Sequence, residues 1–230
     1  VRRETLLALE AARTSGRAVA LVTPLDGGAQ QLLGLADLGG CVDAELAQAV
    51  RSALAGDRAQ LLTRNGVELL VSPWNPPLRL LVVGAVHIAE ALCRMAVICG
   101  YQVTVVDPRS GFARAALFPD VTLVNDWPQE AIPAYAPDAR TAVVLLTHDP
   151  KIDDPALACV LGTPAFYIGA LGSTRTHARR VERLGGQGFE PAQLARIHGP
   201  AGLAIAARTP AEIALSVLAQ MTQRLREVKS

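Results

Sequence analysis

The sequence predicts an α/β protein, a doubly wound parallel sheet preceded by a small α+β unit. Three observations carry that expectation. From Leu78 onward, β-branched apolar runs of strand length alternate with stretches of helical periodicity, as in βα units whose sheet is covered on both faces. A glycine turn, Gly84-Ala85-Val86-His87-Ile88-Ala89, closes the first run and opens the first helix. Before it, Pro73-Trp74-Asn75-Pro76-Pro77 interrupts the chain with a segment that favours extended backbone.

Composition agrees. Half of the 230 residues are hydrophobic but only 4% are aromatic, so the core is built mainly from Ala, Val, Leu and Ile. With 22 Lys+Arg against 21 Asp+Glu, no basic excess points to nucleic acid. Cys41, Cys93, Cys99 and Cys159 form no CxxC pair, which suits a reducing compartment. The first residues are amphipathic rather than leader-like, and the longest apolar run, near 78–85, is of strand length. A cytoplasmic protein with neither a membrane nor a nucleic-acid partner is expected.

In the first part, a helix is expected over 3–15, stopped by Gly16, then a strand over 18–23. Gly27-Gly28 turns the chain into a returning strand over 31–35, and Gly39-Gly40-Cys41 bends it into a helix over 43–55. A strand over 67–72 completes a domain of residues 1–72, with 73–77 as a Pro-rich linker and 78–230 as the second domain. There, strands are expected over 78–83, 102–107, 121–125, 141–146 and 165–169. Helices are expected over 86–99, 128–134, 153–161, 174–184, 191–196 and 210–226. Pro108, Gly111 and Pro119 leave room only for a short helix over 108–120. Thr209, Pro210 and Glu212 form a capping-box pattern. The strand order 3-2-1-4-5 then follows, with the loops after its first and fourth strands flanking the switch point.

Candidate chemistry lies in those loops. Gly84 stands at the first position of a dinucleotide-type glycine turn and Ala89 at the third. Val86 stands at the second, where a branched side chain hinders close approach of a pyrophosphate. His87 falls in the first helical turn, placed to meet an anion. Asp107 lies 23 residues after Gly84, near the spacing of an acidic ribose ligand, and Arg109 is suited to grip a phosphate or carboxylate. Asp-Pro-Arg as plain turn chemistry is the alternative. In the loop after the fourth strand, Asp154 before Pro155 reads as a helix N-cap. Thr147, His148, Asp149 and Lys151 are unexplained by capping and stand as ligand contacts. Gly169, Gly172, Ser173, Arg175 and His177 make an anion cradle leading into a helix, or alternatively a capped glycine turn. No spacing specifies a metal site.

These segments together resemble the XdhC/CoxI family. The likeness is carried by LLVVGAVHIAEAL (80–92), YQVTVVDPRSGFA (101–113), FPDVTLVNDWP (118–128), LTHDPKIDDPAL (146–157), FYIGALGSTRTHARRVERL (166–184), ARIHGPAGL (195–203) and ARTPAEIALSVLAQM (207–221). The resemblance implies a Rossmann-like C-terminal domain and a protein that binds molybdenum cofactor, as molybdopterin or its dinucleotide form. It implies support of sulfuration with a cysteine desulfurase, and delivery to an apo molybdenum hydroxylase such as xanthine or carbon monoxide dehydrogenase. It also implies a homodimer, and an accessory chaperone rather than an enzyme. Gly39-Gly40-Cys41-Val42-Asp43 is similar to a GGCVE element of the family, which makes Cys41 a candidate functional thiol. Where the family often has GLDIGA, this chain has Ala204 and Ala206. An NAD(P)-dependent oxidoreductase is the alternative that the fold by itself suggests, and a nucleotide-sensing regulator is a third.

Overall fold

In the computed structural model of the chain, residues 2–39, 43–109, 111 and 115–227 are described. Their contacts divide into two units, one running to Pro76 and one spanning Pro77–Glu227.

The first unit contains α1 (Arg3–Thr14), β1 (Val19–Pro24), β2 (Gln31–Gly34), a 3-10 turn (Leu35–Leu38), α2 (Ala44–Gly56), β3 (Gln60–Arg64) and β4 (Val67–Trp74). The four strands form an antiparallel sheet in the order β2-β1-β4-β3. Ala20, Val22, Leu69 and Val71 alternate onto one sheet face and meet Leu46, Ala47, Val50 and Leu54 of α2. Asp43 caps α2, accepting from the Leu46 amide at 2.8 Å.

Two features depart from expectation. β3 is a strand that the sequence does not announce. Its residues are short on buried apolar groups, and its signal is the Asn65-Gly66 turn, whose φ values of 50° and 79° make a tight hairpin. β4 also runs on to Trp74, so Pro73 and Trp74 belong to a strand rather than to a linker. Proline is tolerated because β3 ends its pairing at Gln60↔Val71, and β4 is an edge strand beyond that point.

The second unit contains β5 (Leu78–Val83), α3 (His87–Ile98), β6 (Tyr101–Val106), a 3-10 turn (Ala115–Leu117), β7 (Thr122–Val124), α4 (Pro128–Tyr135) and β8 (Thr141–Leu145). It continues with α5 (Pro150–Leu161), β9 (Tyr167–Ala170), α6 (Thr174–Gly186), α7 (Pro191–Leu194), β10 (Ile197–His198) and α8 (Pro210–Glu227). All six strands are parallel, in the order β10-β9-β8-β5-β6-β7. This is a Rossmann-like α/β fold with one strand, β10, more than expected. Leu80, Val82, Val103 and Val144 pack under Leu92 of α3 and Val217 and Met221 of α8. On the opposite face, Leu81, Val83, Val143 and Leu145 pack under Ile132, Leu157 and Leu184. The even apolar runs of β5 and β8 are thus buried on both sides.

α5 starts three residues earlier than expected. Asp149, not Asp154, is its N-cap, accepting from the Lys151 amide at 2.9 Å with Pro150 in the first turn. Two Asp-Pro pairs carry the same local signal. The first wins because a helix from Pro150 lays Ile152, Ala156, Leu157 and Val160 on the sheet as one buried stripe. The Thr209–Glu212 capping box forms as expected: Glu212 accepts from the Arg208 and Thr209 amides, and Thr209 Oγ1 accepts from the Glu212 amide.

Candidate cofactor cleft at the switch point

β5 is paired with β6 on one side and β8 on the other, so the chain leaves its C-terminal end in opposite directions from neighbouring strands. A crevice opens at such a point. Gly84 opens the turn after β5 with φ 106°, and its amide donates to the Val106 carbonyl at 2.8 Å. A Cβ there would lie 2.6 Å from the Thr147 methyl, so the turn after β5 touches the loop after β8. Val86 is the N-cap residue of α3 and has no side-chain oxygen with which to cap it.

Asp107, expected as a ribose ligand, and Arg109, expected as an anion ligand, are joined to each other in the structure. The fully buried Asp107 carboxylate accepts from the Ala85 amide at 2.8 Å, the Arg109 amide at 2.9 Å, and Arg109 Nε and Nη2 at 2.9 and 2.7 Å. Burial acts to raise its pKa, but the hydrogen bonds from Arg109 and Ala85 outweigh it and hold the carboxyl below its ordinary value. Asp107 therefore fixes the shape of the glycine turn. His87 is 92% exposed, and its Nδ1 lies 3.3 Å from Glu90 on the same helix.

In the loop after β8, Thr147 Oγ1 donates to Asp153 at 2.6 Å and accepts from the Asp149 amide at 3.1 Å. His148 sits at φ 58°, a left-handed conformation uncommon for a side-chain-bearing residue. It is exposed, as is Lys151 on the first turn of α5. Below this loop lies a charged cluster that is not among the candidates read from the sequence. Asp153 is 2% exposed, and burial pushes its pKa up against the pull of Thr147 and Arg180. Arg180, also 2% exposed, donates from Nη2 to the Leu171 carbonyl at 3.0 Å, with Asp153 Oδ2 at 3.5 Å. Its Nε and Nη1 are buried with no hydrogen-bond partner among the described residues. Asp154 receives Arg183 bidentately at 2.6 and 3.0 Å. The sequence signal for this cluster is the spacing of Arg180 and Leu184, which falls on the buried face of α6.

The loop after β9 holds Gly172 at φ 139°, and Ser173 caps α6 by accepting from the Thr176 amide at 3.1 Å. Arg175 is exposed on the first turn of α6. Gly169 does not belong to this cradle. It is buried inside β9, where a Cβ would fall 2.6 Å from the Tyr167 ring. His177 packs on Gly199, at which a Cβ would lie 2.1 Å from its Nδ1. Burial, and then Arg180, lower the His177 pKa. The chain after β10 is suspended from Gln220, whose Oε1 accepts from Tyr167 Oη at 2.6 Å and from the Gly202 amide at 2.8 Å. Tyr167 in turn stacks on His198, with ring centroids 4.8 Å apart.

These loops enclose a cleft of about 730 Å³. Ile88, His148, Gly172, Ser173 and Thr174 line one part, and Ala201 to Ala207 with Ile213 line a largely apolar wall. Ala204 and Ala206 stand in that wall, so no acidic group faces the cleft from there. Of the sequence candidates, His148, Gly172 and Ser173 line the cleft, while Gly84 and Thr147 touch each other without lining it. Asp149, Lys151 and Arg175 sit at the openings of α5 and α6. Cys41 lies outside the described residues. The first unit holds a separate apolar groove of about 460 Å³ beside Leu6, Leu9 and Trp74, with no glycine turn or parallel-strand end around it. Among the described residues, no three His, Cys, Asp or Glu side chains group as metal ligands, and no helix is long and apolar enough to cross a membrane.

Residues 80–221, which contain every loop of the cleft, match the XdhC Rossmann domain. The chain belongs to the XdhC family. Among its relatives, the molybdenum cofactor insertion chaperone PaoD of Escherichia coli (strain K12) is 32% identical over 157 residues, 68% of this chain and 42% of PaoD. A protein of Bacillus subtilis (strain 168) named as a probable xanthine dehydrogenase subunit is 30% identical over 161 residues, 70% of this chain and 47% of that protein. The chain thus spans less than half the length of these curated XdhC-type relatives. The fold also matches a crystal structure of a xanthine dehydrogenase from Bacillus halodurans, with TM-score 0.73 and 23% identity over 98% of this chain and 65% of the other.

Proposed function

We propose that this XdhC-family chain binds molybdenum cofactor at the switch-point cleft and passes it to an apo molybdenum hydroxylase of the xanthine dehydrogenase type. The observation that carries the proposal is the convergence of the first turn of α3 and the loops after β8, β9 and β10 on one cleft inside a matched XdhC Rossmann domain. The likeness to a protein named as a molybdenum cofactor insertion chaperone supports the choice of ligand.

The residues present fit such a group. A phosphorylated pterin is flat and anionic. A cleft of about 730 Å³ falls within the roughly 300–1,000 Å³ of small-ligand sites. Leu203, Ala204 and Ala206 offer small apolar surface to a ring. His148 and the Gly172–Ser173 turn offer polar contacts, and Ile88 brings the first turn of α3, which has no side-chain cap, to the cleft. Lys151 and Arg175 add positive charge on the opening turns of α5 and α6. When bound, the group carries molybdenum for the partner's hydroxylation chemistry; this chain binds, shields and releases it. Sulfuration with a cysteine desulfurase, a homodimeric state and a cytoplasmic setting belong to the same proposal, with Cys41 as its candidate thiol.

The test is co-elution of the purified protein with anaerobically released molybdenum cofactor on a sizing column, with nicotinamide nucleotides in parallel. Molybdenum travelling with the protein supports the proposal. NAD(P) bound in its place, despite Val86, overturns it in favour of a dinucleotide enzyme.

A further inference from the structure

We infer that Arg180, working through Asp153, is the positioning residue that sets the spacing of two walls of the cleft. The inference rests on the proposed function for its meaning in ligand binding, but not for its structural content.

Arg180 reaches two loops that are otherwise separate in sequence. Its Nη2 donates to the Leu171 carbonyl at 3.0 Å, which fixes the start of the loop carrying Gly172 and Ser173. The same nitrogen lies 3.5 Å from Asp153 Oδ2, while the other Asp153 oxygen accepts from Thr147 at 2.6 Å. Thr147 in turn accepts from the Asp149 amide at 3.1 Å, closing the turn that holds His148 at φ 58°. A continuous chain of contacts therefore runs from the His148 wall to the Gly172 wall, through one buried ion pair.

The cost of this arrangement argues that it has a use. Arg180 is 2% exposed, and its Nε and Nη1 have no hydrogen-bond partner among the described residues. Buried unsatisfied donors and buried charges destabilise, and an apolar side chain of similar volume fills such a space at less cost. A Met or Leu cannot, however, hold a backbone carbonyl and a carboxylate at once. Asp154 and Arg183 form a second pair on the same two helices, with better geometry, and that pair already joins α5 to α6. The Asp153–Arg180 pair adds the link to the strand-end loops, and with it the width of the cleft between His148 and Ser173.

The test is segment-resolved hydrogen exchange on the full chain, for Arg180→Met, Arg180→Lys, Thr147→Val and Asp154→Asn. Arg180→Met is expected to speed exchange about tenfold in both loop segments, 146–150 and 171–176. Thr147→Val is expected to act on the first segment alone, and Asp154→Asn on neither. If Arg180→Met does not fold, Arg180→Lys decides: lysine keeps the charge but not the fork, and both loops are expected to loosen to an intermediate extent. Exchange that rises evenly across the second unit, or in neither loop, overturns the inference and leaves Arg180 a packing residue. As a second readout, Arg180→Met is expected to retain molybdenum cofactor about tenfold less tightly and Arg180→Lys to recover part of that loss. A parent protein that retains no cofactor sinks the proposed function, while the exchange pattern still judges Arg180 independently.

Discussion

The α-carbon of Gly84 and the methyl of Thr147 meet so closely that a Cβ on Gly84 would stand 2.6 Å from that methyl. The turn after β5 and the loop after β8 are thereby one packed unit. Gly84→Ala meets both this contact and the strain of φ 106°. It is expected to destabilise the protein by about 2–4 kcal/mol in urea unfolding. Adding Thr147→Ser removes the methyl and should return part of the loss. A double variant as unstable as the single one would mean that backbone strain, not the contact, sets the cost.

Asp107 gives a pH-dependent prediction. Its folded pKa is lowered, since the hydrogen bonds from Arg109 and Ala85 outweigh the effect of burial. Its contribution is therefore present above the unfolded carboxylate value of about 3.9 and is lost as the pH falls through the folded value. Asp107→Asn should cost about 1–3 kcal/mol at neutral pH, and its stability should fall less than the parent's on going below pH 4. Asp153 works in the opposite sense, because its pKa is raised by burial. Comparing parent and variant at each pH cancels that opposing contribution. Parallel pH curves for the two proteins would refute the assignment.

Ligand binding is tested with His148→Asn and Arg175→Ala. Asparagine tolerates the left-handed backbone that His148 adopts, and Arg175 is exposed. Each variant is expected to keep its stability within about 0.5 kcal/mol. Each should weaken cofactor retention about tenfold by calorimetry. Unchanged affinity in both would remove these loops from the site.

Tyr167 and Gly202 share Gln220 as acceptor, and through it the third wall of the cleft is tied to β9 and α8. Tyr167→Phe keeps the stacking on His198 but drops one hydrogen bond. It is expected to lower stability by about 1 kcal/mol. The Gly202 amide should exchange faster while β5 and β8 stay protected. Equal protection at Gly202 would show that the Ser216 and Ala170 contacts hold the wall unaided.

Much of the fold is legible in the sequence because its signals are local. Strands β5 and β8 announce themselves as unbroken apolar runs, and the helix from Pro210 by its capping box. β3 and the two-residue β10 are not legible, since neither has enough buried apolar residues to stand out, and both are defined by pairing. In the cleft, His148, Gly172 and Ser173 follow from their place at strand ends. Gly169 does not, because β9 runs on to Ala170 and carries it from the loop into the strand interior.

By itself the sequence determined the βα alternation, the switch point and the motifs that mark an XdhC Rossmann domain, because periodicity, glycine turns and caps act over a few residues. Only the tertiary structure decided which Asp-Pro pair caps α5, that Asp107 is matched to Arg109, and that Arg180 meets Asp153. The partners in the last pair lie on different helices. Their meeting depends on how α5 and α6 pack on one sheet face, where burial and charge are set by neighbours that no local pattern records.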